Sequence, residues 1–300
     1  MKKLALYLLM GCLALTACYD EGELEPSEEP ELIYGKYTLP QGNHDYDDDI
    51  VKFYNDYASL ILYKFTSKDF GWSPTGNVDF DVSKDTVVGR VGQAYDVCPA
   101  NEEYVGMQLK LLNKKWFSYL SDTLKQMLPQ RILLCGMIDL VEKGSGHLPT
   151  SEERVHKNVY SGFYHIAVNW GNEKILTMTP EERNLFKIDV CTAYLDKIRS
   201  TLGSPESFFV ITKYSNDITA DKMYENGILD LEHRTNKEED WFDYIKLAIA
   251  NPISKLEGEG GVLNPAVDVN GLIRQKYDIM VNFFKTVYKF DIQAIGNDVE

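Results

Sequence analysis

Apolar residues along this chain follow two rhythms, one of three or four positions and one of short unbroken runs. Residues 179–203 show the first most clearly: Leu185, Ile188, Cys191, Leu195, Ile198 and Leu202 recur every three or four positions and so share one helix face. Thr179 as N-cap, Pro180 at the first helical position and Glu182 closing a capping box predict where that helix starts, and Gly203 where it ends. The same rhythm in Ile50, Phe53, Tyr54, Tyr57, Leu60 and Ile61 predicts a helix opened by the acids between Asp45 and Asp49, whose charge suits a helix N-terminus. Further helices are expected over residues 104–128, where Trp116, Phe117 and Leu120 keep the period and Pro129 stops it, and over 237–250 and 272–288. The second rhythm marks residues 131–138 as a buried central strand and residues 164–170 as another, ending at Gly171-Asn172. Residues 60–65 read as a strand or a helix end. Helices gathered around a few strands, without regular alternation, define an α+β fold.

One apolar run is of another kind. Residues 4–15 follow Lys2 and Lys3 and are too short to cross a bilayer, which is the pattern of a cleavable signal peptide. The run closes on Leu15-Thr16-Ala17-Cys18, a lipobox whose cysteine thiol takes a diacylglycerol. The expected organisation is a signal peptide over residues 1–17, a lipidated acidic tether over 18–32 and a single domain over 33–300, with the membrane as partner through the lipid on Cys18. The tether is acidic and proline-punctuated, with too little apolar surface to order itself. An acidic cluster behind a lipidated cysteine resembles the export signal that sends lipoproteins of Bacteroidetes-type bacteria to the outer face of the outer membrane. The expected localisation is therefore the outer membrane, lipid-anchored and exposed at the cell surface.

Charge narrows the partners. A formal net charge of -15 argues against nucleic acid and against an anionic membrane surface. Of the five cysteines, Cys12 is lost with the signal and Cys18 carries lipid, leaving Cys98, Cys135 and Cys191 far apart and without the Cys-x-x-Cys spacing of a structural zinc site. They read as buried, inert thiols. The acids at 45–49 lack the glycine and glutamate spacing of a calcium loop. No Gly-x-Ser-x-Gly elbow is present, and Gly258, Gly260 and Gly261 sit among acids that would repel phosphate.

The order of segments nevertheless has a likeness. Tyr57-Ala58-Ser59-Leu60-Ile61-Leu62-Tyr63-Lys64-Phe65, then Leu128-Pro129 and Arg131-Ile132-Leu133-Leu134, then Pro205-Glu206-Ser207-Phe208-Phe209, Glu239-Asp240-Trp241-Phe242-Asp243-Tyr244-Ile245 and the segment from Lys276 to Phe284 resemble the zinc-binding metallopeptidase lipoproteins of Bacteroidetes. These often accompany TonB-dependent nutrient import. The resemblance implies a zincin-like scaffold with His-Glu-x-x-His on the helix after the second strand and an acidic ligand on a later Glu-Asp-x-x-Glu helix. Histidines four apart lie on one helix face and bind zinc together, while the glutamate activates the metal-bound water.

Here that pattern is broken. By segment order the helix from Thr179 takes the place, and its best-matching stretch puts Val190 and Tyr194 where histidines belong and Cys191 where the general base belongs. Glu239 and Asp243 survive from the later motif, with aspartate for glutamate. The expectation is a scaffold that has lost its zinc site, with no catalytic residue, metal or cofactor. Among the histidines, His147, His156 and His165 stand nine residues apart, which suits neither helical nor strand ligation, and His233 beside Glu232 is the first to check for a rebuilt site. Glu238, Glu239, Asp240 and Asp243 read as a capped helix start and its solvated face. Nineteen tyrosines and four tryptophans leave aromatic faces for stacking on sugars or peptide side chains, with Tyr194 and Trp241 as candidate ligand-binding residues and Trp72 behind them. The favoured function is a surface-tethered binding or accessory component of glycan or peptide uptake. The alternatives are an active zinc metallopeptidase with unconventional ligands and a structural subunit of an outer-membrane, TonB-dependent import complex.

Overall fold

The strand predicted over residues 131–138 is the axis of the structure. The computed structural model describes residues 37–71, 87–90, 93–141 and 154–299, and the chain from Thr38 clusters as one unit. Its strands are β1 (Leu60–Leu62), β2 (Val87–Arg90), β3 (Gln93–Pro99), β4 (Arg131–Leu140), β5 (Val155–His156), β6 (Val159–Ser161) and β7 (His165–Val168). The main path runs β2-β3-β4-β7-β6, with β1 and β5 also paired to β4. The first half of β4 is parallel to β1 and β7, and its second half is antiparallel to β3 and β5. Ile132, Leu133, Leu134, Cys135 and Ile138 are wholly buried, which is why this segment is apolar on both faces.

The helices of six or more residues are α1 (Asp47–Tyr57), α2 (Glu102–Lys115), α3 (Pro180–Lys197), α4 (Lys237–Ala250), α5 (Leu272–Val287) and α6 (Ile292–Asn297). Helices gathered around one mixed sheet make the fold α+β. A continuous core joins them, from Ile132 and Ile166 on the sheet through Phe186 and Val190 on α3 to Trp241 on α4 and Phe284 on α5. Among the described residues no helix is long and apolar enough to cross a membrane.

The caps work as their residues dictate. Thr179 accepts the Glu182 backbone N–H while the Glu182 carboxylate accepts the Thr179 N–H at 2.8 Å, so α3 starts at Pro180. α1 begins on Asp47, Asp48 and Asp49. It ends at Tyr57 rather than running on through Leu60 and Ile61, because the Ser59 hydroxyl donates to Pro129 O at 2.6 Å and Leu60 N to Gln130 O, drawing the chain into β1. Residues 104–128 are not one helix. Trp116 leaves helical geometry (φ -140°, ψ -69°), a 3-10 turn follows over Phe117–Tyr119, and Ser121 caps a short helix over Asp122–Lys125. Bending there carries Trp116, Phe117, Leu120 and Leu124 into one core, which a straight helix would splay.

The predicted stripe of α3 is buried at Cys191, Leu195, Ile198 and Leu202 but not at its start. Leu185 is exposed and Ile188 half-buried, while Phe186, Lys187, Val190, Cys191, Tyr194 and Leu195 are the buried set. The sheet edge at β6, α2 and α4 all pack against this helix, so its buried face is wider than one period-based stripe.

Candidate functional site

The packing on α3 decides which side chains meet solvent. Val190, Cys191 and Tyr194 are at most 1% exposed and point into the core. The Cys191 thiol lies 3.6 Å from Lys115 O, and burial pushes it up to about 12. The Tyr194 hydroxyl donates to Leu124 O at 2.6 Å. Trp241 is 1% exposed, with Phe208 edge-on at 4.8 Å and Phe284 stacked at 6.1 Å. Neither Tyr194 nor Trp241 therefore offers a ring to a ligand, contrary to the expectation from the sequence: both are large apolar surfaces consumed by core packing. Cys18, Trp72 and His147 lie outside the described residues.

What α3 does present is a groove of about 560 Å³, bounded by the chain from His156 through Val159, by α3 and by α4. The α3 residues lining it are Ile188, Asp189, Thr192, Ala193 and Asp196, spaced to share one helix face. The open register is thus Ile188-Asp189-x-x-Thr192, two positions ahead of Val190-Cys191-x-x-Tyr194. Isoleucine has no donor atom, and Asp189 Oδ2 already accepts from Asn158 Nδ2 at 2.8 Å. The groove face of α3 carries no imidazole, so the zinc implied by the family likeness does not fit there.

The opposite wall is a hydrogen-bonded chain that the sequence did not announce. The Trp170 indole N–H donates to Asn158 Oδ1 at 2.8 Å, and Asn158 passes the contact on to Asp189. His156 sits at the lip, its Nδ1 2.9 Å from Asp139 Oδ1 and its Nε2 3.2 Å from Asn169 Nδ2. With the amide donating to Nε2, the ring carries its proton on Nδ1, facing the carboxylate. Trp170 has φ 80°, a strained value for a bulky residue, and is held there by its indole contact and by its own N–H donating to Asn169 Oδ1 at 2.7 Å.

The acids of α4 are not a solvated face. Asn236 caps the helix and Glu238 is exposed, but Asp240 and Asp243 are buried. Asp240 pairs with the buried Lys276 ammonium and accepts from Tyr214 OH at 2.6 Å. Burial raises its carboxyl and lowers Lys276 to about 8. Glu239 accepts from Arg199 Nη2 at 2.9 Å, which lowers its pKa, and the Arg199 guanidinium lies 5.0 Å over Phe242. Asp243 has both oxygens engaged: Lys246 Nζ lies 2.6 Å from Oδ1 and His233 Nδ1 2.6 Å from Oδ2. Burial of His233 opposes its charge, but the Asp243 hydrogen bond and carboxylate outweigh that and raise its pKa. The partner His233 finds is Asp243, with Asp230 close by, rather than the exposed Glu232.

The remaining candidates are structural. His44 pairs with Glu102 at 2.6 Å on the surface. His165 is 2% exposed and pushed down to about 3 by burial, helped by the charges of Lys197 and Arg131. Cys98, Cys135 and Cys191 are free thiols, all raised by burial, Cys98 being half-buried.

Fold and groove together define an α+β protein with a polar cleft between a sheet-edge segment and two helices. No family model matches the chain, and no curated protein matches it. Among solved structures it is similar to a crystal structure described as a putative zinc-binding metallo-peptidase from Bacteroides caccae, at 10% identity and a TM-score of 0.49, over 86% of this chain and 95% of that one.

Proposed function

We propose that this chain is a surface-tethered lipoprotein whose metallopeptidase-like domain has lost the zinc site of α3 and serves as a binding or accessory component of nutrient uptake. One observation carries the reading: the groove is open, yet its α3 face offers Ile188, Asp189 and Thr192 where a zinc catalyst needs paired imidazoles. The acids of α4 that would complete such a centre do not line the groove: Glu239 pairs with Arg199, and Asp243 with Lys246 and His233.

The lining also separates ligand classes. Phe242 and Trp170 are each 6% exposed, so among the described residues the cleft has no free tryptophan, tyrosine or phenylalanine platform for a sugar ring, whereas Asn158, Asp189, Thr192 and Asp196 supply hydrogen-bonding groups suited to a peptide backbone and its polar side chains. The chain should bind peptides from a defined panel and leave them uncut. Calorimetry with the wild type and with Asp189→Ala should show affinity falling about tenfold, the scale of one charge-assisted contact, with thermal stability unchanged. Cleavage of those peptides that stops on adding a chelator would overturn the non-catalytic reading.

A further inference from the structure

Outside the groove's lining, ligand atoms from two elements converge at α4. Asp230 caps the 3-10 turn Leu231–His233, its Oδ1 accepting from Glu232 N at 2.9 Å. Asp230 precedes the turn in extended backbone (φ -126°, ψ 122°), and His233 closes it three positions on. Asp243 approaches from α4, and one ligand atom from each of Asp230, His233 and Asp243 lies within 4.8 Å of the other two. A single ion bound at about 2.1 Å separates its ligand atoms by about 3 to 4.2 Å, so small side-chain adjustments would let one ion touch all three.

We propose that Asp230, His233 and Asp243 form a binding site for one divalent transition-metal ion of the zinc or manganese class. Two carboxylates and one imidazole make a donor set of intermediate hardness, and three protein ligands leave room for water. The site lies off α3; of its three residues only Asp243 belongs to the α4 acids that the family likeness assigns to the lost centre. Its ion replaces the contact between His233 and Asp243 Oδ2 and leaves Oδ1 to Lys246. Because Lys246 lines the groove, the ion ties the 3-10 turn to the back of the binding wall.

The test uses the full chain, stripped with a chelator, dialysed and titrated with Zn²⁺ by calorimetry in two buffers of different ionisation enthalpy. One equivalent should bind with release of a proton; His233→Ala should abolish binding, and Asp230→Asn, a change beside a turn rather than in the core, should weaken it about tenfold or more. Co²⁺ in place of Zn²⁺ should give visible bands of nitrogen and oxygen ligation without a thiolate charge-transfer band. Absence of saturable binding, binding undiminished in both variants, or a thiolate band would overturn the proposal. Metal binding without peptide cleavage supports both this site and the non-catalytic function, whereas metal-dependent cleavage abolished by His233→Ala would support the site and overturn that function.

Discussion

His165 gives the protein a built-in sensitivity to acid. It opens β7 at 2% exposure, with its ring among Phe70 and Tyr160 and no hydrogen-bond partner for Nε2 among the described residues. Burial holds its pKa near 3, against an ordinary value of 6.5. Between those values the unfolded chain takes up a proton that the folded chain refuses. Folding is therefore unaffected by this group above about pH 6.5 and loses stability as the pH falls toward 3. Each pH step of one in that window costs about 1.4 kcal/mol, so His165 alone removes about 2 kcal/mol by pH 5 and about 4 to 5 kcal/mol by pH 3. In His165→Leu the linkage vanishes while the apolar surroundings remain filled. Urea unfolding of both proteins at pH 7, 6, 5 and 4, taken as a difference, cancels the carboxylates common to the two. The difference should grow in favour of the variant as the pH falls. Parallel stability curves would refute the argument by showing that His165 is protonated, or reached by water, inside the fold.

Two further perturbations probe buried charge. Lys276→Met strands the Asp240 carboxylate in a fully buried position and should cost about 3 to 5 kcal/mol in urea unfolding, most of it recovered when Asp240→Leu is added, because two apolar residues replace the pair. Asp298→Ala removes the carboxylate that meets the wholly buried Lys115 at 2.8 Å and the Tyr119 hydroxyl, and should lower stability by about 2 to 4 kcal/mol, with Asp298→Asn milder because the amide oxygen still accepts.

The elements legible in the sequence were those whose local signals agreed with their surroundings. The capping box at Thr179 and the doubly buried run of β4 needed no tertiary information, since one is a contact between neighbours and the other a composition only a central strand tolerates. By contrast β3, β5 and β6 are short or mixed in polarity, and their pairing is written in β4 and β7 rather than in themselves. Segment order locates the helix of the site but not which of its faces meets the cleft: the cleft takes Ile188, Asp189 and Thr192, while Val190 and Tyr194 join Cys191, which apolar period alone places in the core. The rings of Tyr194 and Trp241 invite a binding role on sequence alone, yet an aromatic residue in a sequence carries no mark of whether its face is covered. The Asp230 and His233 spacing of three was readable, but Asp243 joins them only through the turn's approach to α4.

The strand β4 carries a kinetic implication. Its parallel partners come from about seventy positions earlier, Leu60 beside Arg131, and about thirty-four later, His165 beside Arg131, while β3 must reach it across the whole of α2. Among the described strands β2-β3 and β6-β7 join across short turns, but β4 meets its parallel partners only after long loops close. Productive collapse is then a late and concerted event, and before it β4 stays without its parallel neighbours.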